Sequence, residues 1–367
     1  MMAMAIDLYC NDGSPLGIIP SDIYDRGVGG AELALISWAE AMSARGHHVR
    51  VYNDPRHPVR GKSPEYMNRS DFRPADPRDV FVAFRSPNPF IIRAVAKRCK
   101  VHWSTDQHTI GNFATDIFPH VDLIVCISPF HVNYHKVTYH APADKIGYID
   151  LGVRLGDYNI DDIEKVPGRC IYCSVPDRGL DPLRAAWQHI KTARPDASLV
   201  ITSDYRLWGA RQPMNHKWRL AWLNEPNVTF LGKIPRAALV REQLRAQVHS
   251  YPCYYEELFC ISVAECTVAG AVPITSDVGS LATTNAWGTV IPGSPINVAW
   301  RKDFIAEVLQ AMEMPDKDRQ KMVAEARVRF DWARIAERWE RLLISGKWQS
   351  PVQSTGQSPP GNGGTDA

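Results

Sequence analysis

HSYPCYYEELFCISVAECTVAGAVPITSD (residues 249–277) reads as three elements in a row. HSYPC is a short apolar strand, CISVAECTVAG an apolar helix closed by Gly270, and AVPITSD a second strand. An acidic turn, YYEEL, joins the first strand to the helix. Strand, helix and strand in so short a span form the parallel crossover unit of an α/β domain. Seven residues separate Glu257 from Glu265. On one continuous helix these carboxylates would lie roughly 12 Å apart along the axis and about 80° apart around it, so they could not share a proton. The spacing makes chemical sense with Glu257 in the turn and Glu265 inside the helix. The amides of Phe259, Cys260 and Ile261 then form the helix N-terminus between them.

The same alternation extends in both directions. In the first half, AIDLYC, HVRVYND, DVFVAFR, KVHWST and DLIVCIS read as strands rich in Val and Ile. AELALISWAEAMSARG is a helix closed by Gly46, and FIIRAVAKRC and PFHVNYHKVTY read as two further helices. A polar, proline-rich stretch, DPRHPVRGKSPEYMNRSDFRPADPRD, reads as a surface loop. A break falls at NIDDIEKVPGR, after which CIYCS, SLVITS and NVTFLG read as strands ahead of HSYPC. LDPLRAAWQHIKTARP and PRAALVREQLRAQV are helices between them, and residues 297–346 hold only helices. Near-continuous apolar strands separated by helices predict parallel sheets covered on both faces. The fold class is therefore α/β, with two doubly wound Rossmann-like domains facing a cleft. The expected boundaries are 1–160 for an N-terminal Rossmann-like domain and 161–328 for a C-terminal one. A helix at 329–348 and a tail at 349–367 of disordered composition complete the chain.

Composition narrows the function. The chain has 367 residues, 45% hydrophobic and 22% charged, with a net charge of +2, which gives no footprint of a nucleic-acid protein. The eight cysteines sit mostly in apolar runs, as buried thiols of a reducing compartment do, and Cys170 to Cys173 has no second pair at zinc spacing. The N-terminus lacks a basic region ahead of its apolar run, which Asp7 interrupts, and no stretch reaches membrane-spanning length. A cytoplasmic location is expected, with a peripheral membrane contact left open.

Ligands of open parallel sheets bind beyond the carboxyl ends of the strands, and helix N-termini there favour phosphates. RGVGGAEL (residues 26–33) follows the first strand; Gly27, Gly29 and Gly30 permit a tight turn, although the spacing is not that of a dinucleotide fingerprint. SVPDRGLDPL (residues 174–183) places Arg178 at a strand end, suited to a diphosphate, with Asp177 as an alternative surface partner. Around residues 257–265, helix amides suit phosphates, one carboxylate suits sugar hydroxyls and the other a ribose diol. Glu265 is flanked by Val263, Ala264, Cys266 and Val268, and a buried carboxylate requires a partner. The competing reading is an amphipathic helix with one exposed Glu.

This segment resembles the retaining glycosyltransferases of the GT-B fold, family 4 in particular, whose hallmark is Glu, seven residues, Glu. GGAELALISWAEAMSARGHHVRVY, VDLIVCISPFHVNYH, PDRGLDPLRAAWQHIKTARPDASLVI, NVTFLGKIPRAAL and FDWARIAERWERLL resemble further pieces of that family in the same order, over about residues 5–346. The resemblance implies Glu257 and Asp106 as catalytic residues, with Glu257 on the donor sugar. It implies Glu265 on the ribose, Arg178 on the diphosphate, and Phe259, Cys260 and Ile261 as the phosphate-facing amides. Gly29 and Gly30 would meet the donor phosphates or the acceptor, and Lys233 and Ile234, with Gly232, would lie beside the base. It also implies a last helix that crosses back to the N-terminal domain. Thr105 stands where the family often has a catalytic His, with His108 nearby; Cys173 stands for an Arg, and Cys260 for a Gly. Asp150-Leu151-Gly152 replaces an Asn-Gly pair, and DVGSLATTN lacks the family's usual Glu.

The expected activity is transfer of a sugar from a nucleoside diphosphate donor to the hydroxyl of a glycan, lipid or small-molecule acceptor. Retention at the anomeric carbon is expected, with no metal and no cofactor beyond the donor. A sugar-nucleotide epimerase of the same fold and a GT-B-like binding protein without turnover are the alternatives.

Overall fold

The computed structural model describes residues 3–11, 17–25, 27–85, 93–108, 112–208 and 216–348. The tail expected at 349–367 lies outside them. The first sheet comprises β1 (Ala5–Cys10), β2 (His48–Tyr52), β3 (Glu65–Met67), β4 (Val80–Phe84), β5 (Cys99–Trp103), β6 (Leu123–Cys126) and β7 (Ile146–Tyr148). Its order is β3-β2-β1-β4-β5-β6-β7, with every pairing parallel. The second comprises β8 (Arg169–Tyr172), β9 (Ser198–Ile201), β10 (Val228–Phe230), β11 (Val248–Tyr251), β12 (Val272–Ser276) and β13 (Thr289–Ile291), in the order β10-β9-β8-β11-β12-β13, also parallel. Two Rossmann-like sheets result. The strand order reverses between β1 and β4 in one and between β8 and β11 in the other. Those reversals open crevices at the strands' carboxyl ends.

The helices used below are α1 (Gly30–Ala44), α2 (Pro129–Tyr139), α3 (Leu180–Ala193), α4 (Arg236–Arg245), α5 (Ile261–Val268), α6 (Val298–Met312), α7 (Asp316–Arg329) and α8 (Trp332–Ser345). Ser128 caps α2 through a bond from the His131 amide at 3.1 Å, and Asp331 caps α8 through the Ala333 amide at 2.8 Å. Although α8 follows the second sheet, it packs on α1 of the first. The Trp339 ring lies 5.4 Å from Trp38 and 5.2 Å from Trp103, an aromatic cluster that ties the chain's end to its beginning. Asp7 in β1 is fully buried, held by Arg50 and Arg78 at 2.6 Å each. A buried carboxylate persists only with such partners.

Two expectations are corrected. The stretch read as a surface loop before β4 contributes the edge strand β3, and Tyr66 within it is fully buried. Three residues are too few for a periodic signal, and Val59 pairs with Tyr66 through two bonds of 2.9 Å that no composition reveals. Arg78, polar by type, is buried because Asp7 neutralises it. The helix expected over 90–99 lies partly outside the described residues; from Ala94 to Arg98 the chain is not helical, and Cys99 begins β5.

A polar cluster lies under the first sheet's carboxyl end. His102, His131 and His135 are buried, and burial pushes His102 down to about 3 and His135 down to about 4, with His131 also well below its ordinary value. These rings stay neutral in the folded chain while the unfolded chain takes up protons below about pH 6.5. Stability is therefore full above pH 6.5 and falls as the pH drops toward 4, on the order of 2–3 kcal/mol for a single such histidine by pH 4.5. Melting temperatures recorded from pH 7.5 to 4.5 should decline over this range, and His135→Gln should flatten the decline; an unchanged slope would count against this origin.

Candidate active site

Residues that follow β1, β4, β5, β8, β10 and β11 meet in one cleft. After β1, Gly29 precedes α1 and Gly30 opens it. A Cβ at Gly30 would lie 3.1 Å from the Ile261 side chain, so the first domain's glycine loop rests directly on the second domain's α5. Gly27 likewise abuts the Ile234 carbonyl, at 3.3 Å from its own Cβ position. The domains approach closely where glycine removes the side chain in the way.

After β8, a single turn ends at Arg178, ahead of α3. Its guanidinium lies 3.2 Å from Glu257 and 3.4 Å over the Tyr255 ring, and its carbonyl accepts the Tyr254 amide at 3.0 Å. Burial works against the Arg178 charge, but Glu257, Tyr251, Tyr255 and Cys253 together outweigh it and hold the pKa above its ordinary value. After β11, the Tyr251 hydroxyl donates to Glu257 at 2.6 Å and pairs with Ser174 Oγ at 3.1 Å. The Glu257 backbone is fixed as well. Its carbonyl accepts the Ser280 amide at 2.7 Å, and it bridges to Gly279.

Cys260 precedes α5 with φ +68° and ψ 78°, the left-handed region that favours glycine. The structure thus gives a physical reason for the glycine expected there: the turn demands that conformation, and Cys260 adopts it. Burial pushes the Cys260 thiol well up, so it is a neutral side chain facing Ser262 Oγ at 3.4 Å. The first amides of α5 have no acceptor within their own helix and mark the positive end of its dipole. The side chain of Phe259 is buried, edge-on to Phe330 at 6.0 Å, leaving only its backbone for the site.

Glu265 is buried, on the first turns of α5, and pairs with Arg236 of α4 at 2.6 Å. Gln243 donates to its other oxygen at 3.3 Å, and the Tyr158 hydroxyl donates to Gln243 at 2.7 Å. Arg236 also reaches Asp157 at 2.8 Å. Burial opposes the Arg236 charge, and Glu265 leads the groups that raise its pKa above the ordinary value. The sequence reading missed Arg236. Its signal was the requirement that a buried Glu265 find a cation, with PRAAL a short way beyond Lys233 and Ile234.

Two adjoining cavities result. The first, of about 220 Å³, is walled by Gly29, Gly30, Lys233 and Ile234 on one side and by Arg178, Glu265 and Ile261 on the other. Lys233 is held there by its amide, 3.3 Å from the buried Asp204 carboxylate. The second, of about 480 Å³, contains Asp106, Thr105, Phe259 and Glu32. Glu257, Arg178, Cys260 and Ile261 line both cavities. Asp106 is ion-paired with Arg85, whose guanidinium also lies 3.8 Å from Glu32. Arg85 was another residue the sequence reading passed over, as the last letter of a strand. Thr105 Oγ1 is buried with no hydrogen-bond partner among the described residues, and His108 is exposed. Every residue expected from the sequence to be catalytic or donor-binding thus lines one of the two cavities, whereas His108 and Asp177 line neither.

Residues 174–329 match the family model of glycosyl transferases group 1. Among solved structures, sucrose-phosphate synthase from Thermosynechococcus elongatus is similar with a TM-score of 0.70 at 16% identity, over 93% of this chain and 98% of that one. HepE of Anabaena, solved with UDP and glucose, is similar with a TM-score of 0.64 at 15% identity, over 93% of this chain and 100% of the other. The catalytic domain of starch synthase IV from Arabidopsis thaliana, bound to ADP and acarbose, has a TM-score of 0.65 at 10% identity, over 94% of this chain and 99% of its own. These likenesses show the GT-B fold. No curated protein matches the sequence significantly.

Proposed function

We propose, from a chain whose residues 174–329 form a glycosyl transferases group 1 domain, that it moves a sugar from a nucleoside diphosphate sugar to an acceptor hydroxyl with retention at the anomeric carbon. The observation that carries this reading is the position of Glu257, ion-paired to Arg178 on the common wall of two cavities. The first cavity takes the nucleotide, with Glu265 toward the ribose and Lys233 and Ile234 toward the base. The second takes the acceptor, beside Asp106. An epimerase needs no second cavity. Two cavities meeting at one carboxylate support transfer.

In this reading, the acceptor oxygen forms a bond to the anomeric carbon as the bond from that carbon to the diphosphate oxygen breaks. The hydroxyl proton passes to the departing diphosphate. Arg178 and the amide end of α5 stabilise the charge that develops on the leaving group, a preorganised arrangement in a partly enclosed site. Glu257, oriented by Tyr251, holds the donor sugar in register with the acceptor. No helix of the described residues is long and apolar enough to cross a membrane. All eight cysteines are free thiols, seven of them buried, which supports work in a reducing, cytoplasmic setting.

Incubation with UDP- and ADP-sugars and a saccharide panel, followed by NMR of the product, tests the proposal. A glycoside with the donor's anomeric configuration is expected, and Glu257→Gln should lower kcat by about two orders of magnitude with the fold intact. A product of inverted configuration, or conversion of the donor sugar without any acceptor, would replace the reading with another.

A further inference from the structure

The second cavity has a charge imbalance. Among the described residues its wall carries the carboxylates of Glu32, Asp106, Glu256 and Glu257, but only the guanidinium groups of Arg85 and Arg178. Both cations are committed. Arg85 is shared between Asp106 and Glu32, and Arg178 is paired with Glu257. Glu256 accepts from the Gln107 amide at 2.6 Å, and the Tyr255 hydroxyl donates to the carbonyl of that same amide at 3.3 Å. Gln107 is neutral, so its bond orients Glu256 without cancelling the charge. A bound diphosphate adds further negative charge next door.

We infer that the acceptor moiety presenting the attacking hydroxyl is an uncharged saccharide, selected against phosphorylated and carboxylated sugars by the surplus of carboxylates around the second cavity. This rests on the sugar-transfer reading of the site. An anionic group entering here meets like charges, and would have to draw Arg85 from two carboxylates that already hold it. A sugar hydroxyl meets acceptors suited to its proton in every one of those carboxylates. The Tyr255 ring, which carries Arg178 over one face, lines this cavity and is 38% exposed.

Saturation-transfer NMR on the full chain, with methyl glucoside, glucose 6-phosphate and glucuronate as probes, each with and without UDP or ADP, decides the matter. Methyl glucoside should bind at least about tenfold more tightly than either anion. Glu256→Gln should narrow that gap by improving the anions selectively. Equal or tighter binding of glucose 6-phosphate, absence of binding by all three, or an equal shift of all three in Glu256→Gln would overturn the inference. Calorimetric titration of UDP and ADP separates the two levels: a protein that ranks the saccharides as expected yet binds neither nucleotide keeps the charge selection and loses the transferase reading.

Discussion

Gly279→Ala is expected to lower sugar transfer by about two orders of magnitude or more, although residue 279 carries no chemistry. A Cβ added there would lie 2.4 Å from the Glu257 carbonyl oxygen and 2.7 Å from its nitrogen. Both contacts are with backbone, which no rotamer change relieves. Gly279 also has φ +65°, where an L side chain is strained. The turn bearing Glu257 must therefore move, pulling the carboxylate away from Tyr251 and Arg178. Gly46→Ala is the control: it has φ +90° and nothing within 4 Å of its Cβ position. It should share the backbone penalty, about 1 kcal/mol, yet keep its turnover. Steady-state kinetics beside thermal melts make the comparison, and equal kcat values for the two variants would refute the positional argument.

Arg236→Ala should be the most destabilising change at the site. It leaves the Glu265 carboxylate buried with only the Gln243 amide beside it, at a cost of about 3–5 kcal/mol. For a chain of this size the melting temperature should fall by roughly 5 °C. The loss belongs to the orphaned charge and not to the pair itself. The double substitution Arg236→Met with Glu265→Leu should therefore recover most of the stability, since apolar groups of similar volume can replace a buried ion pair. Nucleotide binding should not return with it, because the ribose contact assigned to Glu265 is gone. Recovery of both in the double variant would leave Glu265 with a structural role alone.

How much of this was legible beforehand depends on the range of the interaction. Apolar strands such as DLIVCIS and helices such as AELALISWAEAMSARG announce themselves through local pattern, and the two parallel sheets follow. Glu257 and Glu265 could be placed on a turn and a helix because that distinction is also local. The short strands β3, β7 and β13 escaped, being three residues each and specified by their neighbours in the sheet. The partners escaped too. Arg236 meets Glu265 across 29 residues, and Arg85 meets Asp106 across 21, and no spacing rule connects them. Cys260 is the instructive case. As a letter it was a departure from glycine; its φ of +68° shows that the backbone has kept the shape a glycine would take.

On the proposed function, the cleft between the two sheets holds a nucleoside diphosphate sugar, with Arg178 on its phosphates. Isothermal titration of the wild-type chain and of Arg178→Ala with UDP-glucose and ADP-glucose tests it most directly. Saturable binding of at least one donor, one molecule per chain, weakened at least about tenfold in Arg178→Ala, is the predicted result. Heats indistinguishable from buffer for both donors, or binding unchanged by Arg178→Ala, would contradict it.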